Sequence, residues 1–390
     1  MPYYLQIKTR VLSLSLLIII VFLFVSRPGW SKEYDPRLLQ SSKLAYQGNW
    51  REAEALIQQY LAENPMDPNG LFVKGVVLEW KMGLDGEKWW EAQRKMLEVY
   101  QEANDMAFQL WNRDQENVDR LIDLGNSYMF LGRKYSDNGS WLKAVLTAKK
   151  CQKHLEKALK LDPNRVDGLL ALGGFHYVAD NGPKALGPFK ALLGISGTKA
   201  QGLAELKKSL TQQHPFFYDT QMVFIQLYYD LEKNYPEALN ALSVLEKEFP
   251  DNPEFKFRRA RIYEKQDPKK GIEEYLKFAQ WCETQREKCH TNYSFLAYYD
   301  AGRLSMGLKD SAKTKLYLAK ALQYDTQVDT QLTAQALFWP GLLEKEEGNS
   351  AAALEKFQKA EKVPGISGSL KKQIEGELSE LCKTNSAPCS

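Results

Sequence analysis

Histidine is scarce in this sequence, and the usual signatures of catalysis are missing. Only four histidines occur in 390 residues: His154, His176, His214 and His290. None stands in an H-E-x-x-H or similar spacing, and there is no G-x-S-x-G elbow, P-loop or G-x-G-x-x-G run. Metal-assisted hydrolysis, serine-type acyl transfer and phosphate cradling by a glycine loop are left without residues to perform them. No cofactor or metal is expected, and the chain reads as a non-enzyme. Cys289-His290 is one adjacent pair with no second cluster, too little for zinc. His176, within GGFHYV, reads as a core or groove-lining residue, and acids such as Glu156 pair with lysines one turn on (Lys160), as on a solvated helix face.

Net charge is also lacking. Lys+Arg total 52 against 49 Asp+Glu, a formal charge of +3. Lys8, Arg10 and Arg27 lie in the first 31 residues, which hold no acid, so beyond them 49 cations face 49 anions. A neutral body without a basic run offers little to a phosphate backbone, and nucleic acid is not an expected partner. Strand-period alternation is absent too, and so are strongly Pro- or Ser-rich runs, which leaves a helical reading almost throughout.

What is present begins with a targeting element. Lys8 and Arg10 precede Val11 to Val25, an uncharged stretch whose only polar residue is Ser. Fifteen residues at about 1.5 Å each rise roughly 22 Å, short of the ~30 Å hydrocarbon core, so the length suits the apolar part of a signal peptide. Residues 1–31 are read as a signal peptide cut after Ser31, or as an uncleaved anchor that holds the chain to the inner membrane through residues 11–25. Either way the chain is expected to be exported, and periplasmic. The five cysteines agree with an oxidising compartment: Cys282/Cys289 and Cys382/Cys389 share a C-x6-C spacing and are expected to close two local disulfides, while Cys151 reads as a small core residue.

The body repeats. Gly48-Asn49-Trp50 leads to Ala53 and then Pro65; Asn234-Tyr235-Pro236 leads to Ala238 and Pro250; Gly348-Asn349-Ser350 leads to Ala353, Phe357 and Ala360; and Ala158 precedes Pro163 by five residues. Upstream of each such half stands a small residue: Gly75, Gly125 (with Leu124 and Tyr128), Gly173, Ala260 (with Tyr263), Gly302 and Gly341. A small side chain is needed where two helices of a hairpin cross, larger ones fill the space beside the crossing, and Pro ends the second helix. The registers give about eight hairpins, 34–67, 68–117, 118–165, 166–218, 219–252, 253–294, 295–333 and 334–367, with long second helices from Glu87 to Trp111 and from Ser140 to Leu161. Residues 368–390 supply an amphipathic capping helix (Ser369 to Cys382) and a tail. Pro340 falls inside a helix and is expected to kink it. Asp180 to Thr198, with four Gly and two Pro around an apolar stretch, interrupts the fourth hairpin; it is read as a short packed helix or as a lip over a groove or membrane.

These phases resemble the tetratricopeptide-repeat superfamily over residues 34–367. The middle, from LALGGFHYVADNGPKALGPFKALLGISG to GLAELKKSL, looks like long-helix proteins of the inclusion-body clearance type, and a second similarity is to the T-component of TRAP transporters. The resemblance implies an all-α solenoid whose first helices turn repeat positions 2, 5, 9 and 12 to a concave face. Phe72, Asn126, Phe257, Arg261, Tyr299, Arg303 and Phe338 then become the candidate surface for a protein or peptide partner, with aromatic rings one turn before an arginine (Phe257/Arg261, Tyr299/Arg303). The function implied is an envelope scaffold or adaptor; the alternative is an accessory to a solute transporter that holds a small ligand. Membrane contact is expected only through the N-terminal segment or the 180–198 insertion.

Overall fold

The computed structural model describes residues 32–85, 89–181, 196–324 and 330–384. The N-terminal segment, most of the 180–198 insertion and Cys389 lie outside them. Among the described residues there are seventeen α-helices and no strand. They pack in consecutive pairs: α1 (Pro36–Tyr46) with α2 (Trp50–Glu63), α3 (Pro68–Asp85) with α4 (Trp89–Arg113), α5 (Val118–Asp137) with α6 (Trp141–Leu161), α7 (Leu169–Asn181) with α8 (Lys199–Ser209), α9 (Phe217–Gln226) with α10 (Tyr235–Glu248), α11 (Pro253–Gln266) with α12 (Pro268–Thr284), α13 (Thr291–Gly307) with α14 (Ser311–Ala321), and α15 (Thr330–Glu346) with α16 (Ser350–Glu361). A last helix, α17 (Gly368–Thr384), packs on α16.

Local chemistry sets the helix ends. Asn117, Asn234, Asn252, Asp267 and Asp310 each accept a backbone N–H of the first turn that follows, so donors with no partner inside the helix are satisfied. The turns after α1 and α15 place Gly48 and Gly348 at φ 86° and 83°, a left-handed conformation that glycine adopts without strain. α15 runs through Pro340 from Thr330 to Glu346 as one helix, with Pro340 buried.

The small residues sit at crossings. A Cβ added at Gly125 would lie 2.4 Å from Leu155 Cδ2, one at Gly302 2.7 Å from Leu318 Cγ, and one at Gly341 2.5 Å from the Phe357 ring. Glycine there lets the paired helix approach, and the neighbouring Leu or Phe fills the gap.

The chain divides into two compact units. The first comprises residues up to Asp35 together with Asn104–His214, the second Pro36–Ala103 with Pro215–Ser390. In the first unit Leu121, Ile122, Leu124, Cys151, Leu155 and Ala158 form the core between α5 and α6. Burial pushes the Cys151 thiol up to about 12, so it behaves as a small apolar side chain.

The second unit departs from simple succession. Tyr46, at the end of α1, packs its ring against Trp80, Tyr218, Phe249 and Phe255, and its carbonyl accepts the Asn252 side-chain amide at 2.6 Å. Lys43 pairs with Glu248 at 2.7 Å. The first hairpin is thus built into the core of the fifth, a contact that the repeat phase alone does not contain. A further core is formed by α15, α16 and α17 around Phe338, Phe357, Leu370 and Ile374.

Cys282 and Cys289 form a disulfide across the turn between α12 and α13. Cys382 is disulfide-bonded as well, and its expected partner Cys389 lies outside the described residues. Closing a loop with a sequence separation of 7 removes chain entropy worth roughly 2–3 kcal/mol from the unfolded state. Cys289→Ser is accordingly expected to lower the unfolding free energy, read from urea titration, by that much under oxidising conditions and to change nothing once the wild type is reduced.

Candidate functional site

Five of the seven residues expected on a concave face are core residues. Phe72 lies against Phe216, Phe257 against Tyr275, Phe278 and Tyr293, Tyr299 against Phe295 and Trp339, and Phe338 against Phe357. All four rings are buried, as is Asn126, whose side-chain amide donates to the Asp167 carbonyl at 3.0 Å. These five side chains therefore offer a partner little surface in this structure. Large side chains from the adjoining helices cover the face that the repeat position alone assigns to solvent.

The two arginines fare differently. Arg303, on α13, is held between two carboxylates: its Nε donates to Asp300 Oδ1 at 2.9 Å and its Nη2 to Glu264 Oε2 at 2.9 Å. The Tyr275 hydroxyl donates to the same Glu264 oxygen at 2.9 Å. Burial pushes the Glu264 carboxyl up, but Arg303 and Tyr275 outweigh it, and its pKa ends below the ordinary value. Asp300 ends above its ordinary value, because its burial outweighs Arg303. Arg261, on α11, is exposed, and no hydrogen bond or ion pair ties its guanidinium to a described residue. Its field reaches Tyr229, Tyr275, Glu254 and Asp300. Glu254 is already taken by Arg258 at 2.6 Å and by the Tyr293 hydroxyl at 3.1 Å. Tyr229 comes from a π-helical turn, Leu227–Leu231, that continues α9. Such a turn inserts one residue into the helix and re-aims the side chains beyond it. Sequence periodicity does not show it.

In the first unit, four residues ahead of α1 lie on α5 and the entry to α7. The Tyr34 ring is 8% exposed, and its hydroxyl donates to Asp167 Oδ2 at 2.5 Å. Lys32 Nζ lies 3.3 Å from Asp123 Oδ1. Arg165 grips Asp167 with Nε at 3.0 Å and Nη2 at 2.6 Å, and reaches Asp119 with Nη1 at 2.5 Å. Burial pushes the Asp167 carboxyl up, yet Arg165 and Tyr34 hold it below its usual range. The same burial, with Asp167 beside it, raises the Tyr34 phenol well above 10 and keeps it a donor.

Residues 38–79, spanning α1, α2 and most of α3, match the tetratricopeptide repeat family. That stretch carries a tetratricopeptide repeat. Among curated proteins none matches the sequence. Solved structures similar to this chain include yeast Tom70, 12% identical over 90% of this chain and 82% of that one with a TM-score of 0.37. The Cut9–Hcn1 hetero-tetramer of the APC/C is 14% identical over 91% and 57%, with a TM-score of 0.45. A human IFIT1 dimer with m7Gppp-AAAA is 14% identical over 92% and 84%, with a TM-score of 0.40. At these values the repeat assignment rests on the family match and on the helix pairs.

The four histidines have structural partners. His290 caps α13, its Nδ1 accepting the Asn292 N–H at 3.2 Å. His176 is buried, with Nδ1 2.7 Å from Glu205 Oε2 and Nε2 3.7 Å from Glu156. His154 stands between the Trp111 and Tyr128 rings, and His214 lies 3.1 Å from the Ser209 hydroxyl. No group of three or more His, Cys, Asp or Glu among the described residues is placed to hold a metal.

Proposed function

We propose that this chain is an exported adaptor that holds a protein partner in the cell envelope, with the Arg261 face of the second unit receiving an acidic segment of that partner. Export is supported by the charge and apolarity of residues 1–31 and by the disulfide chemistry of the cysteines. One observation carries the binding face: Arg261 is an exposed residue whose guanidinium has no carboxylate bonded to it among the described residues, while Arg303 is fully engaged. A cation in that state can give a partner carboxylate a charge-assisted bond without first breaking one of its own.

Arg261→Glu is the discriminating substitution. Reversing Arg303 would break a partly buried ion-pair network and unsettle α11 against α13, whereas Arg261 can be reversed with the fold intact. Cross-linking in the native host, followed by purification of the tagged chain, should recover a partner whose yield falls at least about tenfold in Arg261→Glu, the loss expected for one charge-assisted hydrogen bond. Helicity should not change. Equal recovery from both chains would discard this face, and a co-purifying small molecule in native mass spectrometry would favour a solute-binding accessory role.

A further inference from the structure

The four residues before α1 have the character of a bound peptide. They form no helix, they lie where α5 meets the start of α7, and both recognition contacts are made by side chains across long sequence separations, 91 residues for Lys32 to Asp123 and 133 for Tyr34 to Asp167. The receiving surface is built ahead of them. Arg165 is 5% exposed and fixes the Asp167 carboxylate with two donors, leaving Oδ2 turned to the Tyr34 phenol. The Asn126 amide fixes the backbone at the same residue by donating to the Asp167 carbonyl. Asp119, Asp123 and Asp167 against Arg165 leave this surface short of positive charge, and Lys32 supplies it. A phenol donor in one pocket and an ammonium in the next, two residues apart, is how an extended segment is read by side chain.

We infer that this surface of the first unit is a recognition site for an extended peptide carrying a lysine two residues before a tyrosine, and that Lys32-Glu33-Tyr34 of this chain fills it in cis. A partner presenting the same spacing binds here by displacing that strap. The inference goes beyond the Arg261 reading: it concerns the other unit and a partner segment read through a lysine and a tyrosine, and it stands if Arg261→Glu proves silent.

The experiment uses the full chain and a fluorescein-labelled peptide of residues 31–36, Ser-Lys-Glu-Tyr-Asp-Pro, followed by anisotropy. Lys32→Ala/Tyr34→Ala, which vacates the site, should bind the peptide saturably and at least about tenfold more tightly than the wild type, whose strap competes at high effective concentration. On the vacated chain, a peptide with Phe for Tyr should bind about tenfold more weakly, since it lacks one hydrogen bond to a charged acceptor, and a scrambled peptide should not compete. Emptying the site leaves the buried Asp123 carboxylate without its ammonium and lowers the melting temperature. Tyr34→Phe therefore serves as the second variant, because it keeps the ring and the lysine and should take up the peptide to an intermediate degree. No saturable binding to either variant, or equal binding of the scrambled peptide, overturns the inference and leaves the strap a structural tether.

Discussion

Gly202→Ala is expected to destabilise the first unit by about 3 kcal/mol, the upper range for forced overpacking, although alanine is the better helix former by about 1 kcal/mol. A Cβ at Gly202 would stand 2.5 Å from the Gly173 carbonyl oxygen and 2.5 Å from the Tyr177 backbone nitrogen. Both are main-chain atoms of α7. They move only if the helix moves, and α8 packs on α7 along its length. A clash with a flexible side chain could be absorbed; this one separates two helices. Gly174 supplies the control in the same helix pair. It is also helical, yet nothing lies within 4 Å of its added Cβ. Gly174→Ala should raise stability by up to about 1 kcal/mol through propensity alone. Urea unfolding of the two variants, read on the protection of α7 and α8 amides, should show shifts of opposite sign. Equal and small shifts would mean that α7 and α8 can part at this crossing without cost.

Acid should weaken the same unit. His154 is held down to about 4 by burial first, and then by Lys153, Lys157 and Lys150. His214 is also held down to about 4 by burial, against the opposing pull of Asp167 and the Ser209 carbonyl. The ordinary value for both is 6.5. Between about 6.5 and 4 the unfolded chain therefore binds protons at these sites that the folded chain refuses. Stability is full above the unfolded value and falls as pH drops through that window, after which it levels off. Each histidine accounts for roughly 3 kcal/mol across the whole window. Hydrogen exchange of the α5–α8 amides between pH 7 and pH 4 should show this loss. His154→Phe, which keeps a ring between Trp111 and Tyr128, should remove about half of the pH slope. A flat profile in that window would show that both imidazoles reach water.

The repeat was legible because its rule is local. Gly125, Gly302 and Gly341 announce crossings by being small where a large residue follows on the paired helix, and Leu155, Leu318 and Phe357 are those residues. The Gly-Asn turns before α2 and α16 are legible for the same reason, since φ near 85° needs glycine. The site was less legible. Phe257 stands at a position that a repeat turns inward, but Phe278 and Tyr293 arrive from the next two helices and cover it. A single repeat does not state how large the next repeat's residues are. Arg261 and Arg303 occupy equivalent positions and look alike in sequence. They differ because acids at 264 and 300 converge on one and bypass the other. Lys32 and Tyr34 carry no periodic signal at all. They adjoin the targeting segment, and their partners appear only when residues 91 and 133 positions away are brought beside them.

The bond from Asn252 to the carbonyl of Tyr46 joins residues 206 apart. During synthesis at about 5–20 residues per second, roughly 10 to 40 seconds separate the emergence of one from the other. Until its end the Tyr46 ring lacks Phe249 and Phe255, two of its four ring partners, although Trp80 is already made. The earliest hairpin therefore completes its native packing only once residue 255 has been made, and a nascent chain arrested before residue 250 leaves part of that ring uncovered.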